Sequence, residues 1–154
     1  MRNVRTKKDK ILWVIGGGQL QIPLIEEAKK LGLSTLVTDK NADCVAKTYA
    51  DYFYPVDIFD ISGSVNLLFQ LRQDGMNIVG VLAAGIDANV TAAVVANIAG
   101  LPGVDPQAAY TTHYKHAFRK FLKEHNLPSP QWAEVSTLRE LKDSIKRIGV
   151  PFII

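Results

Sequence analysis

The chain has one cysteine, Cys44, among 154 residues. A lone thiol excludes an intramolecular disulfide and a clustered thiolate metal site, and a reducing cytoplasm is the compartment that fits. The fold must then be held by its own core, which a single domain of this length can build without a covalent staple. Long apolar runs are also missing. The greasiest stretch, residues 79–104, is broken by Asp87, Asn89, Thr91, Asn97 and Pro102, so it falls short of the roughly 18 residues that a membrane span needs. The amino terminus has no apolar core of a secretory signal, although its basic, acid-poor composition is shared with organelle addresses. A membrane partner is therefore not expected.

Acidic residues are scarce only at the start. The net charge of +3 arises because five of the 18 basic residues, Arg2, Arg5, Lys7, Lys8 and Lys10, fall within the first ten positions, with Asp9 alone against them. The remaining body carries 13 basic and 14 acidic residues. Basicity thus belongs to a disordered leader over residues 1–10 rather than to a surface that tracks phosphates along a duplex, and nucleic acid is not expected as a partner.

Short apolar runs alternate with helical patterns, which predicts parallel strands joined by crossover helices, an α/β Rossmann-like sheet covered on both faces. Residues 11–15 read as a central strand ending in three glycines. A helix over 20–31 carries Leu24, Ala28 and Leu31 on one face and stops at Gly32. Strands follow at 34–38, 52–56 and 78–83, with a helix over 62–73. Asp87 is placed to cap a helix over 88–99 that is apolar nearly all round, and so is buried between layers or in a homodimer contact. Two helical stretches, 107–112 and 114–125, lead to a break at Leu127-Pro128-Ser129-Pro130. Beyond it the pattern gives a strand near 132–135, a helix opened by the capping box Thr137-x-x-Glu140, and a closing apolar strand at 152–154. A chain ending on a bare apolar strand is expected to be truncated.

Three constellations carry chemistry. Gly16-Gly17-Gly18-Gln19 lie between the first strand and its helix, where glycines permit a sharp turn and free N–H groups suit an anion such as phosphate or carboxylate. The same residues also serve a turn built only for close packing. A dinucleotide fingerprint would need glycine at position 21, where Gln21 stands, yet Asp39 lies 23 residues after Gly16, near the place of a ribose-binding acid. Second, Ala84-Gly85-Ile86-Asp87 sit at the carboxyl end of a strand, where ligands of open α/β sheets collect, unless Asp87 merely caps its helix. Third, Lys115 and Arg119 are four residues apart on one helical face and can meet a phosphate together, or simply form a solvated basic face. His113 and His116 share a face, but with no well-spaced acid or thiol beside them no metal site is expected.

Gly16-Gly17-Gly18-Gln19-Leu20-Gln21, Asp39, VLAAGIDAN, GLPGV, YKHAFRKFLKEHNLPSP and VPFII stand in an order that resembles the front of ATP-grasp proteins, in the manner of carbamoyl-phosphate synthase large-chain-like and biotin carboxylase-like members. The resemblance spans residue 11 to the end and implies a pre-ATP-grasp domain over 11–112 and the beginning of an ATP-grasp domain over 113–154. It implies that Gly16, Gly17, Gly18, Gln19 and Asp39 lie near a small carboxylate- or phosphate-bearing substrate; Gly85 and Asp87, from their place at a strand's carboxyl end, join them as substrate-binding candidates. In the family an Asp-Lys-x-x-(aromatic or Met)-Arg pattern opens the nucleotide-binding part. Here Tyr114 replaces the Asp, while Lys115, Phe118 and Arg119 fit, so Lys115 and Arg119 are the ATP-binding candidates. The parent would use ATP and Mg²⁺ to phosphorylate a carboxylate or bicarbonate and pass the acyl group to an amine. No residue of this chain is singled out as catalytic, and the chain alone is expected to be inactive and to bind neither ATP nor Mg²⁺ tightly. Two other classes stay open: a nucleotide- or dinucleotide-binding sensor and a non-catalytic dimerisation domain.

Overall fold

A computed structural model describes residues 9–154, in two units: one ends at Ala109 and the other spans Tyr110–Ile154. The basic leader falls largely on residues outside that range, and Lys10 already opens the first strand.

The first unit is organised around β1 (Lys10–Ile15), whose residues from Ile11 to Ile15 are all buried. Alternation along a strand sends successive side chains to opposite faces. Ile11, Trp13 and Ile15 pack with Leu67, Leu68, Leu71, Ala92, Val95 and Ala96, whereas Leu12 and Val14 pack with Ile25, Ala28, Val37 and Ala46. The first set belongs to helices α2 (Ile61–Gln73) and α3 (Asn89–Ala99), the second chiefly to α1 (Ile22–Lys30). The sheet has the order β3-β2-β1-β4, with β2 at Ser34–Thr38, β3 at Tyr52–Tyr54 and β4 at Asn77–Leu82, and every pairing is parallel. Parallel neighbours need crossovers; α1 makes the first and α2 the third, while a 3₁₀ segment, Val45–Tyr49, replaces a helix between β2 and β3. Trp13, fully buried, donates its indole N–H to the Thr38 hydroxyl at 3.0 Å, so its one polar atom is satisfied in the core.

Several boundaries differ from the sequence reading, each for a local reason. The first helix begins as a 3₁₀ turn, Gln19–Gln21, and becomes α-helical at Ile22 with Pro23 in its first turn. The second begins at Ile61 because Asp60 caps it, accepting from the Gly63 N–H at 2.8 Å. Asp87 caps nothing: the N-cap of α3 is Ala88, which offers no side-chain acceptor. Helix α3 buries Thr91, Ala92, Ala93, Val95 and Ala96 and leaves Ile98 40% exposed, so its burial is one-sided. Residues 132–135 and 152–154 are not strands, since neither finds a neighbour to pair with among the described residues.

In the second unit, α4 (Pro106–His113) carries over from the first, and α5 (Lys115–Glu124) and α6 (Leu138–Ile148) follow. The capping box forms as read: the Thr137 hydroxyl accepts from the Glu140 N–H at 3.2 Å, and the Glu140 carboxylate accepts from the Thr137 and Ser136 N–H groups at 3.1 and 2.7 Å. No residue from Tyr110 onward is buried, and the stripe of Leu138, Leu141, Ile145 and Ile148 stays partly or fully exposed. Among the described residues no helix is long and apolar enough to cross a membrane.

Asp51 ties β2 to the segment before β3. Its carboxylate accepts from the Thr35 N–H at 2.8 Å and the Thr35 hydroxyl at 2.9 Å, and Lys29 Nζ lies 3.4 Å away. Burial works to raise this carboxyl, but the two Thr35 donors and the Lys29 ammonium outweigh it and hold it below its ordinary value. Charge-assisted bonds of this kind, discounted for partial exposure, predict that Asp51→Ala costs about 1–2 kcal/mol in urea unfolding. A depressed carboxyl contributes stability above its unfolded value and loses it as pH falls through the folded one. The gap between wild type and variant should therefore close on acidification from pH 6 to below about 4.

Candidate functional site

The order β3-β2-β1-β4 places β2 on one side of β1 and β4 on the other, so the direction of winding reverses between β1 and β4. Ligands of open parallel sheets bind in the crevice at the carboxyl ends of the strands flanking such a reversal. At this place the chain puts the turn Gly16–Gly17–Gly18 after β1, Asp39 after β2, and the loop with Gly85 and Asp87 after β4.

The turn is tight because its surroundings close on it. Gly16 has φ +102°, and a Cβ there would lie 3.0 Å from Ile86 Cδ1. A Cβ on Gly17 would come within 2.8 Å of Cys44 Cβ and 3.0 Å of Asp39 Cβ. The backbone is tied down as firmly: Gly16 N donates to Thr38 O at 2.8 Å, Gly17 N to Asp39 Oδ2 at 2.8 Å, and Ala46 N to Gly17 O at 3.0 Å. The other Asp39 oxygen accepts from Asn41 N at 2.9 Å.

These bonds correct the simplest reading of the glycines as a row of free donors. The amides of Gly16 and Gly17 are taken internally, and both Asp39 oxygens hold backbone N–H groups. The donors left over are one step further on. Gly18 N-caps the 3₁₀ turn, and the amides of Gly18, Gln19 and Leu20 meet no acceptor among the described residues. Gln19 and Leu20 are exposed and Gly18 half-buried, and these N–H groups stand at the start of a helical segment.

Gly85 adopts φ +65° and packs on Leu20, whose Cδ1 and Cβ lie 3.1 and 3.2 Å from the Cβ position of residue 85. The β1 turn and the β4 loop therefore touch. Gln21 joins them further in: it is 1% exposed, and its Nε2 donates to the carbonyl of Ala84. Asp87 is exposed on the same loop. Sequence reasoning treated Gln21 only as an obstacle to a dinucleotide and missed its bridging role. It also missed that Cys44 packs against the turn; this thiol, 8% exposed, is pushed above its ordinary range by burial and also by the nearby Asp39 charge. A lone cysteine five residues beyond the Asp39 loop gives no pattern from which that contact could be read.

Lys115 and Arg119 belong to the second unit. Both lie on α5, Lys115 exposed and Arg119 half-buried, one helical turn apart. Tyr114, standing where the family pattern has Asp, is the helix N-cap but supplies no side-chain capping bond. Its ring packs against those of His113 and His116, with centroids 4.7 and 5.8 Å away. Among the described residues no group of three or more His, Cys, Asp or Glu side chains is placed to hold a metal ion.

Residues 10–111 match the family described as the ribonucleotide synthetase preATP-grasp domain. Over 146 residues the chain is 25% identical to the formate-dependent phosphoribosylglycinamide formyltransferase of Methanococcus vannielii, covering 94% of this chain and 37% of that protein. Phosphoribosylglycinamide synthetase from Anaerococcus prevotii superposes with a TM-score of 0.72 at 25% identity, over 93% of this chain and 36% of that one. N5-carboxyaminoimidazole synthetase from Staphylococcus aureus, solved in complex with ADP, gives a TM-score of 0.67 at 21% identity, over 96% and 38%. The chain thus spans little more than a third of the proteins it resembles.

The contact of Gly17 with Cys44 gives a direct check on this geometry. Gly17→Ala should destabilise by about 1–3 kcal/mol through overpacking. In a double-mutant cycle with Cys44→Gly, which removes both the Sγ and the Cβ, about 0.5–2 kcal/mol of that loss should be recovered, whereas additive effects would show that the two do not meet.

Proposed function

Because the chain belongs to the ribonucleotide synthetase preATP-grasp domain family, we propose that it is the substrate-binding front of an ATP-dependent ligase joining a carboxylate or bicarbonate to an amine through an acyl phosphate. The observation that carries this reading is the set of amides at Gly18, Gln19 and Leu20 that meet no acceptor among the described residues, beside the strand-order reversal. Backbone N–H groups at the start of a helix bind anions through direct hydrogen bonds and the helix dipole. The first unit accordingly receives the anionic end of a small substrate. The names of the M. vannielii and A. prevotii proteins both contain a phosphoribosyl group, and a sugar phosphate is the substrate class we assign. Gly85 and Asp87 lie on the β4 loop that touches this turn, and the exposed Asp87 is the acid we assign to a substrate hydroxyl or amine.

The described residues do not by themselves fit Mg²⁺ and ATP. Lys115 and Arg119 supply two cations for phosphate oxygens, but no cluster of metal-binding side chains accompanies them. Phosphoryl transfer needs such a metal clamp to offset charge on the transferring group. The role assigned to this chain is therefore recognition, with no phosphoryl transfer of its own.

Titration of the ¹⁵N-labelled chain with ribose 5-phosphate or inorganic phosphate should shift the amide resonances of Gly18, Gln19 and Leu20 first, saturating in the roughly millimolar range or below. Unmoved resonances at those three positions, with shifts elsewhere or none, would refute the site. Incubated alone with ATP, Mg²⁺ and bicarbonate, the 154-residue chain should release no ADP above a protein-free blank.

A further inference from the structure

Gln21 is the largest polar side chain buried among the described residues, at 1% exposure. It lies beneath the β1 turn: its Cδ is 3.5 Å from where a Cβ on Gly16 would stand, and its Oε1 is 3.0 Å from where one on Gly18 would stand. From there the amide crosses to the β4 loop and donates to Ala84 O. The strap therefore spans the strand-order reversal itself. In a sheet that binds a dinucleotide, the ligand lies across that crevice, one glycine lets the backbone approach the pyrophosphate and the last lets the helix pack closely on the strand. Here that last position carries Gln21, whose Oε1 lies against Gly18 and whose amide is bonded at its far end. Two other groups that a dinucleotide would use are engaged as well, since Gly17 N and Asp39 Oδ2 bond each other at 2.8 Å.

We infer that Gln21 is a specificity-determining residue that closes the crevice to dinucleotides and leaves the outer amides of Gly18, Gln19 and Leu20 to a small, singly anchored anion. The closing role follows from the strap alone; the choice of ligand rests on the anion-site reading above. Specificity of this kind arises from excluding the larger competitor as much as from binding the smaller. An amide suits the position because its donor is satisfied by Ala84 O, whereas a buried polar group without a partner would be destabilising.

The test compares wild type, Gln21→Gly and Gln21→Ala, each first checked for native circular dichroism, in titrations with NADH by fluorescence and with inorganic phosphate by amide shifts. Removing the strap should tighten NADH binding by about tenfold or more in at least one folded variant, while phosphate affinity changes less than about threefold. If glycine at this position unfolds the chain, the alanine variant decides, because it keeps helix propensity while deleting the strap. NADH binding equal in wild type and a folded variant would overturn the inference. Phosphate silence in every protein, beside a gain for NADH, would sink the anion site and leave the strap standing. The reverse pattern would do the opposite.

Discussion

The structure of the first unit depends on β1 being covered on both faces. Five consecutive buried residues, Ile11 to Ile15, leave no side of this strand for water, so helices must lie above and below it. Parallel neighbours follow, because only crossover connections can place helices on both faces. The chain must then leave the end of β1 through a gap already bounded by Thr38 and Asp39 on one side and Ile86 on the other. Glycine is what fits: at 16 for its positive φ, and at 17 for the closeness of Cys44 and Asp39.

That confinement also decides which atoms can serve a ligand. A turn pressed this closely against β2 satisfies its own first amides, through Thr38 O and Asp39. Donors become available only where the chain has risen clear of the sheet, at Gly18 and the two residues after it. The amides that meet no acceptor among the described residues therefore lie one step further along than a glycine count alone would centre them. Asp39 ties the turn down, and one bond, from Gly17 N to its Oδ2, engages both groups.

Much of this was legible in the residues. The four strands were read within two residues of their true ends, because their apolar runs are bounded by turn residues, and the capping box at Thr137 and Glu140 named its own helix start. What failed was what depends on partners. Asp87 and Asp60 are equally good caps in the abstract, yet only Asp60 reaches its helix, since the loop after β4 carries Asp87 one residue too far from the first turn. The runs at 132–135 and 152–154 have strand composition but no neighbour to complete a ladder. Gln21 was read only against the dinucleotide and family glycine motifs; its burial depends on a carbonyl 63 residues away, a relation that no local pattern encodes. Asp39 was correctly placed by spacing, but spacing cannot tell an acceptor for a ligand from an acceptor for the chain itself.

Family membership fixes the fold and narrows the chemistry without naming the substrate, because one scaffold hosts several reactions through its site. What the site can do follows from its donors. Backbone amides carry a fixed partial charge and do not titrate, so a cluster of them holds an anion at any ordinary pH but cannot pass it a proton. Of the carboxylates at this edge, Asp39 is occupied with two backbone amides, whereas Asp43 and Asp87 are exposed. A set of fixed amide donors is suited to orienting a charged molecule, and poorly suited by itself to activating it. Fixed amide donors and titratable acids thus differ in what they can supply to a ligand: the first give orientation and partial charge, the second can also exchange a proton.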